Sequence, residues 1–289
     1  MPTIIDGKKV AKDIESEIAS QVTSWKEKGF RAPHLAIIIV GDDGASHTYV
    51  NGKINACKAV GFDYTLLHFA STISEDKLLR HIENLNEDDD VDGFIVQLPL
   101  PEHIHVQRII ENIAPEKDVD GFTNQNFGSI SSDHQLLMPA TPLGVMELLK
   151  RYKIDTEGKH CVIVGASRLV GAPLSLMMVE VRSTVTVCHK YTKDLADRTR
   201  EADILVVAVG KPGLITGDMV KKGVVVIDVG TTRVVDSSKK SGFRLSGDVV
   251  FDEVSSLASA ITPVPGGVGP MTIASLLLNT FRAYELAHA

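Results

Sequence analysis

Cysteine is scarce. The chain of 289 residues has three, Cys57, Cys161 and Cys188, with no CxxC and no zinc-like spacing among them. An odd, scattered set in apolar or helical runs excludes a disulfide framework. It leaves buried, reduced thiols of a cytoplasmic protein as the expectation. Positive charge is also short: 30 Lys and Arg face 37 Asp and Glu, a formal net charge of −7. A general grip on nucleic acid needs basic surface to displace counterions, so that class is excluded. A local basic pocket for a small anion is not. No apolar run is long enough to span a bilayer, and the opening "MPTIIDGKKVAKDI" lacks the apolar core of a signal peptide. Internal repeats and low-complexity segments are absent, and no metal site is expected.

What is present is a globular composition, 44% apolar and 23% charged, enough for one large domain or two ordinary ones. Strand and helix patterns alternate. A first helix is expected from about Gly7 to Lys28. Apolar runs at "HLAIIIVG", "YTLLHFA" and "GFIVQLPLP" read as strands, with helices between them at residues 45–61 and "SEDKLLRHIENLN". Apolar strands separated by helices argue for parallel βαβ units covered on both faces. The acidic run "EDDDVD" reads as a solvated turn. Residues 115–145 are rich in Pro, Asp and Gly. A second βαβ series then begins at "KHCVIVGASRLVGAPLSLMM" and runs through "STVTVCHK", "ADILVVAVG" and "KGVVVIDVG". This is the pattern of a doubly wound nucleotide-binding domain. A final helix, "MTIASLLLNTFRAYELA", carries an apolar stripe of Ile273, Leu277, Phe281 and Tyr284 that needs a partner surface. The fold class is therefore α/β: two α/β domains joined near residue 140 with a cleft between them, the second a Rossmann-type parallel sheet. Ligands of open α/β sheets sit beyond the carboxyl ends of the strands.

Several residues are candidates for chemistry. On the helix "ASHTYVNGKINACKAVGF", steps of about 100° per residue place Lys53 inside the apolar arc of Tyr49, Val50, Ile54, Cys57 and Val60. Such a lysine either snorkels to water or is kept for reaction. Gln97 interrupts an apolar strand end, so it either braces a loop or faces a ligand. Asp118 and Asp120 in "KDVDGF" are turn or cap residues, or they accept hydrogen bonds from a heterocycle. Gly165, Ala166 and Ser167 open a strand-to-helix turn spaced Gly-x-Ser-x-x-x-Gly. That turn either serves packing or lets backbone N–H groups approach a pyrophosphate. At the next strand end His189 and Lys190 stand where an NAD-preferring fold places an acid. A basic pair suits the extra phosphate of NADP, although Lys190 also reads as an ordinary exposed lysine. "PVPGGVGP" is a rigid loop, either a hinge or the floor of the cleft.

"SHTYVNGK", "GFIVQLPLP", "PEKDVDGF", "PATPLGV", "IVGASRLVGAP" and "ITPVPGGVGPMT" occur in this order along essentially the whole chain. Together they resemble the bifunctional methylenetetrahydrofolate dehydrogenase/cyclohydrolase family. The resemblance implies NADP-dependent oxidation of 5,10-methylenetetrahydrofolate to the methenyl cation, then hydrolysis to 10-formyltetrahydrofolate. It implies a catalytic folate-binding domain over residues 1–139, completed by a C-terminal helix at 270–289, an NADP-binding domain at 140–269, and a homodimer. By position, Tyr49 matches the tyrosine that stacks on folate, Lys53 the catalytic lysine, Gln97 the glutamine that contacts it, and Asp120 the aspartate that holds the pterin-like ring. Pro265, Gly266 and Gly267 fall with the substrate loop. Gly165, Ala166, Ser167, Lys190 and Thr231 fall with the cofactor site. Ala166 stands where many members have Arg, Lys190 where many have Ser, Thr231 where Ile is usual, and Ala140 where Cys is. The first two departures touch the expected 2′-phosphate site. The competing readings are an NAD-using or dehydrogenase-only member of this fold, and a non-catalytic folate or nucleotide sensor. A sensor has no need of a lysine placed to activate water.

Overall fold

The computed structural model describes residues 1–132, 136–239 and 242–288. Strand β1 (Thr3–Ile4) leads into helix α1 (Gly7–Glu27). Then come β2 (His34–Val40), α2 (Gly44–Val60), β3 (Asp63–Phe69), α3 (Glu75–Glu87) and β4 (Gly93–Val96). Short helices α4 (Val106–Glu111) and α5 (Asn124–Ser129) precede α6 (Ala140–Arg151). The second half runs β5 (His160–Val164), α7 (Gly171–Glu180), β6 (Thr184–Cys188), α8 (Leu195–Arg200), β7 (Ile204–Val207) and β8 (Val225–Asp228). It closes with β9 (Thr232–Val235), β10 (Phe243–Ser246), α9 (Phe251–Ser255), β11 (Ala260–Ile261) and α10 (Val268–Ala287).

Contacts divide the chain into two units, Lys12–Ala140 with the segment from Ile273 onward, and Met1–Ala11 with Thr141–Thr272. The first holds a three-stranded parallel sheet in the order β3-β2-β4. Strand β2 is central, and Leu35 to Val40 are all buried, which is why its sequence has no polar alternation. At the edge strand β3 burial alternates instead. Leu67 and Phe69 pack on the core that includes Leu78 and Ile82 of α3, while Tyr64 and Leu66 are exposed. Helix α2 starts at Asp43, whose carboxylate accepts the Ser46 N–H at 2.7 Å as an N-cap. In the same unit Trp25 of α1 stacks on Phe281 of α10 at 4.6 Å.

The acidic run is not uniformly a solvated turn. Asp92 is 4% exposed, accepts two Arg31 N–H groups at 2.7 and 2.8 Å, and takes the His34 N–H at 2.7 Å. A bidentate partner and a backbone donor satisfy the charge that burial would otherwise strand.

The second unit is a six-stranded parallel sheet ordered β1-β11-β8-β7-β5-β6. Val162, Val164, Leu205, Val207 and Val226 form its core with Ile215, Val254 and Ile261. The N-terminal strand β1 pairs with β11, Thr3 opposite Ala260, which is why the first eleven residues group with this sheet. Strands β9 and β10 form an antiparallel hairpin that the sequence pattern had not suggested. Helix α10 begins at Val268, so Pro270 lies inside its first turn, where a missing N–H costs no helical bond.

Candidate active site

In the three-stranded unit, four elements converge on one polar group. Lys53 lies on the half-buried side of α2, one turn beyond Tyr49, which is 57% exposed. Its ammonium donates to Gln97 Oε1 at 3.1 Å. Gln97 follows β4, where its own N–H bonds the Ile38 carbonyl at 2.8 Å and fixes the turn. Its amide nitrogen donates to the Leu98 carbonyl at 2.7 Å. The nitrogen is thus used locally, and the amide oxygen is left to face the lysine. The amide is a brace and a partner of Lys53 at once.

The two aspartates divide their labour. Asp118 is buried and accepts the Gly121 and Thr123 N–H groups at 3.1 and 2.7 Å, and the Asn126 amide at 2.9 Å. It is the turn residue that shapes the loop. Asp120 is half-buried. Burial pushes its carboxyl above the ordinary range, and Lys53 pulls it back, while Asp118 adds to the rise. Asn279 of α10 fixes the segment from behind, donating to the Val119 and Met138 carbonyls at 2.8 and 2.7 Å. Sequence reasoning passed over Asn279, although a lone amide inside "SLLLNTF" was a readable signal. The arrangement offers a flat aromatic, an amine held by an amide, and a carboxyl that takes a proton more readily than most.

In the six-stranded unit the candidate cofactor residues gather at the carboxyl ends of the strands. Gly165 ends β5 with φ +123°, and a Cβ there would overlap the Ala208 carbonyl oxygen. A Cβ on Gly171 would in turn overlap the Gly165 carbonyl. Only glycine permits this close turn. It leaves Ala166 and Ser167 exposed before the N-terminus of α7, with the Ser167 hydroxyl accepting the Val170 N–H at 3.2 Å. Lys190, exposed past the end of β6, holds its ammonium 4.9 Å from the centre of the Tyr191 ring. Thr231 is exposed just after Gly230. Pro265, Gly266 and Gly267 belong to this unit too, on the loop after β11, where Gly266 accepts the Lys8 N–H at 3.1 Å.

Sequence reasoning also missed two buried acids at the same sheet edge. Asp228, at the end of β8, is 4% exposed, and burial pushes its carboxyl up to about 7. Asp248 is fully buried beside it. Among the described residues one group, Asp42, His47 and His68, brings three metal-type ligand atoms within 4.8 Å of one another. It stands on the surface as an ion-pair cluster, His68 Nε2 lying 3.3 Å from Asp42 and 3.0 Å from the Gly41 carbonyl. No metal is assigned to it.

Residues 5–120 match the family "Tetrahydrofolate dehydrogenase/cyclohydrolase, catalytic domain", and residues 139–288 match its NAD(P)-binding domain. The bifunctional protein FolD of Amoebophilus asiaticus is 55% identical over 287 residues, covering 98% of this chain and 96% of that protein. The crystal structure of the bifunctional FolD dehydrogenase/cyclohydrolase of Campylobacter jejuni superimposes with a TM-score of 0.93 at 47% identity, covering 99% of both chains. The Trypanosoma brucei FolD enzyme, solved with NADP and an inhibitor, gives 0.94 at 39% identity, covering 99% of this chain and 98% of that one.

Proposed function

The chain belongs to the tetrahydrofolate dehydrogenase/cyclohydrolase family, and on that premise we propose that Lys53 activates the water of its hydrolytic step. The protein is an NADP-dependent bifunctional enzyme of folate one-carbon metabolism. It oxidises 5,10-methylenetetrahydrofolate to the methenyl form and hydrolyses that to 10-formyltetrahydrofolate.

The residues present fit NADP. The Gly165 turn is packed so closely that no Cβ fits there, and the small Ala166 and Ser167 follow it, with Arg168 and Leu169 exposed before α7, a turn that can offer backbone N–H groups to a pyrophosphate. Gly165, Ala166, Ser167 and Thr231 would hold the cofactor, and Lys190 would meet its 2′-phosphate. Bound NADP⁺ supplies a hydride acceptor. The chain's own residues do the rest. Tyr49 stacks on the folate, and Asp120 meets the N–H groups of its ring. Pro265, Gly266 and Gly267 offer a loop without bulk to the substrate. Loss of hydride needs no base, because the flanking nitrogens stabilise the methenyl cation. Addition of water does need one. The Lys53 amine accepts a proton from the attacking water as the new C–O bond forms at the cationic carbon. That proton then goes to the ring nitrogen as its C–N bond opens, and the carbinol hydroxyl gives up its remaining proton to solvent as the C=O bond forms, leaving the formyl group on the other nitrogen.

The observation that carries this assignment is the 3.1 Å bond from Lys53 to a Gln97 amide whose orientation is fixed by Leu98. A snorkelling lysine needs no oriented amide. Lys53→Met is expected to lose hydrolysis by roughly 10²-fold or more, the scale of general-base catalysis. The dehydrogenase step survives better, so methenyl product accumulates. Hydrolysis of added methenyltetrahydrofolate at the parent rate would reduce Lys53 to a surface lysine.

The same reading takes residues 1–139 with the helix from 270 as the folate-binding domain and 140–269 as the NADP domain, except that the first eleven residues group with the six-stranded sheet. The family boundary at residue 139 supports the division near 140. A homodimer is supported by β3, an edge strand free on one side with Tyr64 and Leu66 exposed. A cytoplasmic place is supported by three buried free thiols, with burial pushing Cys57 and Cys161 up to about 12. No helix of the described residues is long and apolar enough to cross a membrane.

A further inference from the structure

The buried acids at the carboxyl edge of the six-stranded sheet have no part in the chemistry above. Asp228 Oδ1 accepts the N–H groups of Gly230 and Asp248 at 3.1 and 3.0 Å, and Oδ2 accepts that of Val249 at 3.0 Å. Asp248 Oδ2 accepts the N–H groups of Val209 and Gly210 at 2.7 and 2.9 Å. Its other oxygen, Oδ1, is buried with no partner. Gly230 touches both acids. Its N–H bonds Asp228, and a Cβ on it would overlap the Asp248 carboxyl. Only glycine fits at this position.

The donors identify what the pair holds. Val209 and Gly210 follow Ala208, against which the Gly165 turn is packed. Gly230 precedes Thr231. Two of the loops that would meet the cofactor are therefore fastened to these two carboxyls. A buried carboxylate beside a second one is costly to ionise, and an acceptor left without a donor is costly in itself. One proton answers both costs: carried on Asp228 and donated to Asp248 Oδ1, it removes a charge and fills the empty acceptor.

We propose that Asp228 and Asp248 are a positioning pair that shares one proton, and that this proton keeps the Val209–Gly210 and Gly230–Thr231 loops in place for NADP. The inference rests on the reading of this edge as the cofactor site. Burial, with Asp248's charge adding to it, raises Asp228 to about 7, against three backbone donors that pull it down. Arg244 of β10 and Asp252 of α9 line the hollow that Asp228 borders. Arg244 is turned to Asp236 at 3.8 Å. Coupled groups of this kind titrate as a pair. Above neutrality the proton leaves, two charges face each other, and the loops loosen.

Asp248→Asn separates this from a plain structural role. The amide oxygen of the asparagine keeps the Val209 and Gly210 N–H groups, and its nitrogen takes the place of Oδ1 and donates permanently to Asp228. The variant mimics the protonated pair. Binding of NADP⁺ is measured by calorimetry from about pH 6 to 8.5, bracketing the ordinary histidine range. Wild type is expected to weaken by about tenfold across it, one pK unit's worth of coupling. In Asp248→Asn that loss disappears. Asp248→Ala, which orphans two backbone donors, weakens binding at every pH. The titration of the 2′-phosphate, near 6 as for other phosphate monoesters, is common to all three and cancels. Equal pH curves for wild type and Asp248→Asn, or a uniform loss in Asp248→Asn, would overturn the proposal. The carboxyl ¹³C shift of Asp228, followed against pH without cofactor, decides the shared proton separately. A midpoint in the ordinary aspartate range overturns it. Failure of wild type to bind NADP⁺ at any pH strikes the cofactor reading instead, and with it the purpose of the loops.

Discussion

If Lys190 reads the 2′-phosphate as proposed, cofactor choice turns on it. Lys190 is exposed and lies over Tyr191, with no acidic partner among the described residues. Its charge is available to a phosphate. A charge-assisted hydrogen bond contributes about 1.5–3 kcal/mol, so Lys190→Ala should raise KM for NADP⁺ about tenfold or more and leave NAD⁺ nearly unchanged. Equal effects on both cofactors would mean that Lys190 does not read the phosphate. The position of Lys53 in an apolar arc was legible from helical spacing alone. What decides its role was not, because the Gln97 amide lies 44 residues away and its orientation depends on the Leu98 carbonyl. Asp118 and Asp120 read alike in sequence. That Asp118 is the loop-former follows from where Thr123 and Asn126 come to lie, which is a tertiary matter.

At the scale of elements, α10 joins the Asp120 segment through a single side chain. Asn279 is 2% exposed and satisfies two buried carbonyls. Asn279→Leu keeps the bulk and removes both donors. Each orphaned group costs about 1–3 kcal/mol, so the melting temperature should fall by several degrees, with a raised KM for the folate substrate. An unchanged KM would mean that the Val119–Met138 tether does not place Asp120. The buried strands β2, β5 and β7 were legible because burial leaves an unbroken apolar run. Strand β1 was not: two residues carry no period, and their pairing with β11 spans almost the whole chain. Asp92 was misread for a related reason, since the Arg31 that neutralises it lies 61 residues earlier.

For the whole molecule, the buried acids set a pH dependence of stability. Asp228 is raised from 3.8 to about 7, and Asp120 is raised as well. Between those limits the folded chain keeps a proton that the unfolded chain has lost, so the folded state binds more protons. Stability from this group therefore falls as pH climbs from about 4 to 7 and is level above, by at most about 1.4 kcal/mol per unit. Melting curves of wild type and Asp228→Asn over that window should show the steeper slope in wild type, with the Asp120 share left in the variant. A shared slope would assign it to other groups.

One chain carries out both folate steps. The direct measurement gives the pure protein 5,10-methylenetetrahydrofolate with NADP⁺, and in parallel with NAD⁺, and follows NADPH, methenyl and formyl products together. The expected result is NADPH formation, a methenyl species that rises and decays, and 10-formyltetrahydrofolate in amounts equal to the NADPH formed. No reduction of NADP⁺, or methenyl product that decays only at its rate in buffer, would contradict it.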